Sequence, residues 1–153
     1  MADLDLELEE KFNPSTNEID FLTEKINTES RALNIPGDAY PFGIFLKKRN
    51  TTSASSSEAE AEIVGGCNGS IVYGSIYTDQ LWVHPDYRGK GLGKMLMEKV
   101  HQLGKRKQCT LATVGTMSFQ GAQKFYESLG YQVEFVRDGY VNGATMIYLK
   151  KYL

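Results

Sequence analysis

The chain has 153 residues, a formal net charge of −2 at neutral pH and an apolar share of 41%. That is long enough for a substantial core without disulfide or metal staples, and a near-neutral balance with no basic stripe argues against nucleic acid as a partner. No stretch approaches the length of a membrane span, and the acidic start "MADLDLELEEKF" has no apolar signal core, so a cytoplasmic protein with no membrane partner is expected.

The elements follow in chain order. Residues Leu4 to Phe12 alternate apolar and acidic side chains, the period of a half-exposed strand. Ser15, Thr16 or Asn17 can cap the next segment, in which Ile19, Leu22, Ile26 and Leu33 form a helical stripe. "NIPGDAYPFG" breaks the helix and "GIFLKK" reads as a strand. Residues 49–62 are polar and serine-rich, too poor in apolar surface to order themselves, and read as a flexible loop between neighbouring strands. Two strands follow up to Val83, thinned by glycines at 65, 66, 69 and 74 that mark bulges or close backbone approach.

A further helix begins near Gly91 and packs Leu92, Met95, Leu96, Val100 and Leu103 on one face. "QCTLATV" is a buried strand, and "FQGAQKFYESLG" is a short helix with Gly130 at its C-terminal cap. Two last strands flank Asn142-Gly143, a strong hairpin-turn signal. The order β-α-β-β-β-α-β-α-β-β predicts a mixed sheet with helices on its faces, in one domain spanning residues 1–153 and without internal repeats.

Cys67 and Cys109 lie far apart in apolar runs and read as buried reduced thiols. With only His84 and His101 available, no metal site is expected.

The chemistry concentrates in "LWVHPDYRGKGLGKMLMEKV", residues 81–100. A helix N-terminus presents unpaired N–H groups and partial positive charge, which together favour an anion. Glycines at 89, 91 and 93 bare that backbone, Arg88 with Lys90 or Lys94 can add charge-assisted bonds, and a pyrophosphate suits the result. The Walker pattern fails because Met95 follows Gly93-Lys94 and Arg88 stands in the place of the first glycine. The dinucleotide fingerprint is absent as well, which disfavours a nucleotide-phosphate binder.

Arg88-Gly89-Lys90-Gly91-Leu92-Gly93 fits the pattern [Gln/Arg]-x-x-Gly-x-[Gly/Ala] and resembles the acetyl-CoA signature of the GNAT (GCN5-related N-acetyltransferase) superfamily. "FYESLGY" and the terminal "GATMIYLKK" resemble later segments of the same family, so that residues 60–152 or so carry the specific likeness. The resemblance implies the family's fold, an α/β (α+β) mixed sheet of about seven strands flanked by about four helices. It implies acetyl-CoA as cosubstrate, with Leu81, Trp82 and Val83 holding the pantetheine arm and Arg88, Gly89, Lys90, Gly91, Leu92 and Gly93 the pyrophosphate. It also implies a bulge that splays the family's fourth strand from "QCTLATV", opening a slot for the thioester.

Acetyl transfer to an amine needs a neutral amine, a stabilised oxyanion and a proton or hydrogen bond for the leaving thiolate. Tyr126 stands at the family's acid position. Where relatives often carry a glutamate base, this sequence has Tyr77. Tyr77, Asp79 and Leu81 are expected on one strand face, and Asp79, if buried near the cleft, would be a strengthened base. His84 is a weaker candidate beside the loop. The asparagine that holds pantetheine in many relatives is Phe119 here, with Gln120 and Ser118 as neighbouring substitutes. The resemblance implies an N-acetyltransferase acting on a small-molecule or protein amine, as a monomer or homodimer. The alternative is a catalytically silent acyl-CoA-binding module on the same fold.

Overall fold

The computed structural model describes residues 6–35, 37–48 and 61–153. Most of the serine-rich stretch 49–62 therefore lies outside the described residues. The chain divides into two compact units, Met1–Gly37 and Asp38–Leu153.

The first unit is built on helix α1, Thr16–Ala32. Ser15 is its cap: the Ser15 hydroxyl accepts from the Glu18 amide, and the Glu18 carboxylate accepts from the Ser15 amide at 2.8 Å. Ile19, Leu22 and Ile26 are 48%, 59% and 58% exposed. Of the strand expected over Leu4 to Phe12, residues 6–12 are irregular and Leu8 is 98% exposed, while residues 4–5 lie outside the described residues. Alternation describes half-exposure, but a strand exists only through a hydrogen-bonded neighbour, and the described residues of this unit contain none.

The second unit holds a six-stranded mixed sheet in the order β1-β2-β3-β4-β6-β5. The strands are β1 Tyr40–Lys47, β2 Ile63–Val72, β3 Ser75–Val83, β4 Leu111–Met117, β5 Gln132–Arg137 and β6 Met146–Tyr152. Only β3 and β4 pair in parallel, across the crossover helix α2, Leu92–Arg106. A short helix α3, Gln123–Ser128, precedes β5. The class is as expected, with six strands and three α-helices among the described residues where about seven and four were expected. Among the described residues, no helix is long and apolar enough to cross a membrane.

The core lies on one face of the sheet. Leu96, Met97 and Val100 of α2 pack on Ile76, Ala112, Val114, Ile147 and Leu149. Gly104 brings the helix close, since a Cβ there would stand 2.9 Å from Ile76 Cγ2 and 2.7 Å from Leu153 Cδ1. Cys67 and Cys109 are both free and buried in this cluster. Gly130, at φ 86°, ends α3 as expected. Its amide donates to the Glu127 carbonyl and the Tyr131 amide to the Tyr126 carbonyl, the two bonds of a Schellman cap.

Turn chemistry is distributed differently from the expectation. The tight two-residue hairpin is Tyr73-Gly74, with φ of 50° and 73°, joining β2 to β3. Gly74 thus serves a turn, not a bulge. Asn142 and Gly143 also take positive φ, but inside a longer connection between Arg137 and Met146. The hairpin expected at Asn142-Gly143 is therefore a longer loop, whose extent is set by where strand pairing stops.

The bulge sits at Asp79. Asn68 pairs with Gln80 and Gly69 with Thr78, so Asp79 is the extra residue. A Cβ at Gly69 would fall onto the Tyr77 carbonyl oxygen, so only glycine allows this approach. Beside the bulge, Thr78 Oγ1 and Asn68 Oδ1 are buried without hydrogen-bond partners among the described residues. Pairing between β3 and β4 runs only from Ser75–Leu111 to Thr78–Val114. Beyond the bulge the two strands separate, as the slot required.

Candidate active site

The loop after β3 is shaped by its own backbone. His84 Nδ1 accepts from the Asp86 amide at 3.3 Å and starts a short 3-10 turn, Pro85–Tyr87. Arg88 then folds back, its Nε donating to the Val83 carbonyl at 2.8 Å. Gly89 and Gly91 follow at φ 72° and 75°. A Cβ at either would meet nothing within 4 Å. These two glycines are therefore demanded by left-handed backbone rather than by crowding. Gly93 differs, because a Cβ there would touch the Phe125 ring at 3.4 Å.

The result is a row of free donors. The first backbone bond of α2 runs from the Met95 amide to the Gly91 carbonyl at 3.0 Å, and the helix has no side-chain cap. Among the described residues, the amides from Gly89 to Lys94 have no hydrogen-bond partner. A diphosphate fits such a row, and the open space over Gly89 and Gly91 admits it.

A cavity of about 790 Å³ lies against this loop, walled by Leu81, Trp82, Val83, Phe125 and Leu129 among others. A second, of about 510 Å³, continues between the separated strands and is lined by Asp79, Gly115, Thr116 and Tyr126. Leu81, Trp82, Gln120 and Ala122 are common to both walls. The cleft thus runs from the free amides to the bulge, the shape expected of a long ligand with an anionic middle.

Tyr126 stands at the bulge end, 5% exposed. Its hydroxyl has no hydrogen-bond partner among the described residues, although it lines the cavity. Burial, then the nearby Cys67 and Tyr77, push its pKa up to about 12. It is a donor across the physiological range, not a base.

The other candidates are only partly brought together. Tyr77 Oη lies 3.5 Å from Asp79 Oδ1, a long contact, and burial and the Asp79 charge raise the Tyr77 pKa. Asp79 lines the cavity with Tyr126, but it is exposed rather than buried, because the bulge turns it outward. Any role it has rests on position alone. Leu81 does not share a face with Tyr77, since the extra residue reverses the alternation and Leu81 packs on the core cluster. Lys90 bonds the Asp86 carbonyl at 3.1 Å over the Tyr87 ring and stays off the cleft walls. Phe119 is 73% exposed beside the 141–144 loop, also off the cleft. Gln120, and not Phe119, lines the cleft, its Oε1 accepting from Thr116 Oγ1 and the Met117 amide, both at 2.9 Å. Phe125 and Gly115 were missed. A glycine inside the apolar run "LATVGTM" was the available signal for the second, and the spacing of Phe125 from the glycine loop gave none for the first.

A family model described as an acetyltransferase (GNAT) domain matches residues 56–133. The chain belongs to the GNAT acetyltransferase family. This GNAT chain is 32% identical over 93 residues to blasticidin-S acetyltransferase of Streptomyces morookaense, covering 60% of this chain and 68% of that one. Among solved structures, an acetyltransferase from Bacillus cereus superposes with a TM-score of 0.71 at 22% identity, over 95% of this chain and 98% of that one. A streptothricin-acetyltransferase-like protein from Bacillus anthracis, solved in complex with acetyl coenzyme A, superposes with a TM-score of 0.56 at 22% identity over 61% of this chain and 58% of its own.

Proposed function

We propose that the protein is an N-acetyltransferase that takes the acetyl group from acetyl-CoA and passes it directly to an amine. The observation that carries this reading is the unpartnered Tyr126 hydroxyl at one end of a cleft whose other end is a row of unpaired amides. The family match and the acetyl-CoA complex of the Bacillus anthracis protein support the choice of donor.

Bound acetyl-CoA supplies an activated acyl thioester. The amides from Gly89 to Lys94 would hold its diphosphate. Leu81 and Val83 would face the arm, with Arg88 securing the Val83 carbonyl. In the reaction, the amine nitrogen forms a C–N bond to the acetyl carbon while the thioester C–S bond breaks. The attacking amine gives up its proton, and the sulfur leaves as a thiolate that takes one up. A phenol with a pKa near 12 does not surrender its proton completely to a thiolate, whose conjugate thiol is the stronger acid. Tyr126 therefore acts by hydrogen bonding to the sulfur as charge develops there, and solvent completes the protonation. Asp79, which lines the cavity, and Tyr77 beside it stand on the acceptor side, where the amine would give up its proton.

The exposure of Asp79 favours a second reading, a silent acyl-CoA-binding module with no dedicated base. Thermal shift with acetyl-CoA, CoA, ATP or NAD comes first. A ligand at about a hundred times its Kd adds about 2.7 kcal/mol. A shift with the CoA species alone supports the donor, and an equal shift with ATP, or none with CoA, sinks it. Thiol release with an amine, or slow acetyl-CoA hydrolysis lost in Tyr126→Phe, then separates enzyme from silent module.

A further inference from the structure

On the sheet face away from α2, β4 presents Thr113, Gly115 and Met117, while Ala112 and Val114 face the core. Gly115 leaves a notch in that face. Its cross-strand neighbour on β6 is Tyr148, and a Cβ at Gly115 would meet Met146 Sδ at 3.4 Å and the Tyr148 ring at 3.8 Å. On the β3 side stand Tyr77 and Asp79, and Gly115 and Asp79 both line the cavity that holds the Tyr126 hydroxyl. Burial, then the Asp79 charge and last Tyr148, raise the Tyr77 pKa.

The far side of the notch is cationic. Arg137 Nη1 donates to Tyr148 Oη at 3.1 Å. The guanidinium lies 5.2 Å from the Tyr148 ring centre and 5.8 Å from that of Phe135. Among the described residues no carboxylate pairs with it, whereas the neighbouring Lys150 is paired with Glu134 at 2.7 Å. Stacking fixes the planar fork and leaves its other N–H groups for a ligand. One carboxylate, Asp79, and one guanidinium with no carboxylate partner among the described residues, Arg137, thus stand on either side of the notch at Gly115, and Asp79 and Gly115 line the cavity that Tyr126 also lines.

We propose that this notch binds the acceptor, and that the acceptor is a small amine that also carries a carboxylate. The amine is drawn to Asp79 and toward Tyr126, and the carboxylate is held by Arg137. Three regular strand spacings come to about 14 Å between the lines of β3 and β5; the parting of β3 from β4 beyond Thr78 widens this at Asp79, while Arg137 reaches back over β6 to Tyr148. That span suits an amine and a carboxylate several bonds apart, rather than on one carbon. This inference rests on the acetyltransferase reading and deepens it.

The test compares 6-aminohexanoate with hexylamine by thiol release, in the wild type and in Arg137→Gln and Arg137→Lys. The wild type is expected to favour 6-aminohexanoate in kcat/KM by on the order of tenfold or more, as one charge-assisted contact allows. Arg137→Gln should bring the ratio to about one through KM, and Arg137→Lys should restore part of it. Equal use of both amines by the wild type overturns the proposal, as does a fall in Arg137→Gln that leaves the ratio unchanged. Failure to acetylate 6-aminohexanoate by protein that shows the acetyl-CoA thermal shift overturns the acceptor class alone. Failure of that shift overturns the acetyltransferase reading instead.

Discussion

The Arg88 side chain donates through Nε to the Val83 carbonyl at 2.8 Å, tying the glycine loop back to the end of β3. The signature arginine is therefore a brace for the loop, and its remaining guanidinium N–H groups are left for an anion. Arg88→Ala should raise the KM for acetyl-CoA about tenfold, equivalent to about 1.4 kcal/mol, with a smaller change in kcat. Arg88→Lys restores the charge but not the planar fork, and should recover only part of the loss. Initial-rate kinetics at saturating acceptor would decide, and an unchanged KM in Arg88→Ala would remove the arginine from the binding site.

Tyr126→Phe removes a hydroxyl that has no partner in the free protein, so stability should stay within about 0.5 kcal/mol of wild type. The rate should fall by two to three orders of magnitude, roughly the range of a lost transition-state donor. Because the hydroxyl is held protonated up to about pH 12, Tyr126 should produce no alkaline fall in rate below about pH 10. An alkaline limb near neutrality that disappears in Tyr126→Phe would contradict this assignment.

Two glycines should fail in different ways. At Gly69 any side chain meets the Tyr77 carbonyl, and Gly69→Ala should cost about 3 kcal/mol, lowering Tm by roughly 6 to 12 °C. At Gly91 a side chain has room and only φ resists it, so Gly91→Ala should cost about 1 to 2 kcal/mol. It should also weaken the acetyl-CoA thermal shift, because the amides it orients would move. Equal loss of stability in both variants would mean that crowding does not set the bulge apart.

His101 gives the fold a pH dependence of its own. Its Nε2 lies 3.0 Å from Tyr131 Oη inside the core, and burial, with Lys151 and Lys105 nearby, lowers its pKa to about 4. The unfolded chain takes up a proton on this group near pH 6.5, while the folded chain stays neutral until about pH 4. The stability associated with the neutral group is fully present above pH 6.5 and falls as pH drops through that window, by up to about 3 kcal/mol. His101→Gln should flatten the dependence. A denaturation midpoint independent of pH between 7 and 4.5 in the wild type would refute it.

Much of the fold was legible because its signals are local. Gly91 opens α2 and Gly130 closes α3 for backbone reasons that act within a few residues. The bulge was expected from family likeness, but its consequence at Leu81 was not, since one inserted residue reverses the face of everything after it. The same insertion turned Asp79 outward. The strand over Leu4 to Phe12 failed for the opposite reason: its pattern was right and its partner was missing. Phe119 and Lys90 carried motif positions, yet a side chain's direction depends on neighbours that spacing does not reveal. Arg137 gave no sequence signal at all, because its setting is made by strands β5 and β6 meeting through residues far along the chain.

The short seam between β3 and β4 has a mechanical consequence. The sheet consists of two three-stranded halves, β1-β2-β3 and β4-β6-β5, joined only along four residue pairs at one end. It resembles a clothes peg, with Ser75 to Thr78 as the spring and the jaws opening beyond Asp79. A molecule lying between the jaws would grip both halves and supply the rungs that the protein lacks. Occupancy would then be felt at the spring: the amides of Thr113 and Val114, far from the glycine loop, should exchange with solvent more slowly once the jaws are filled.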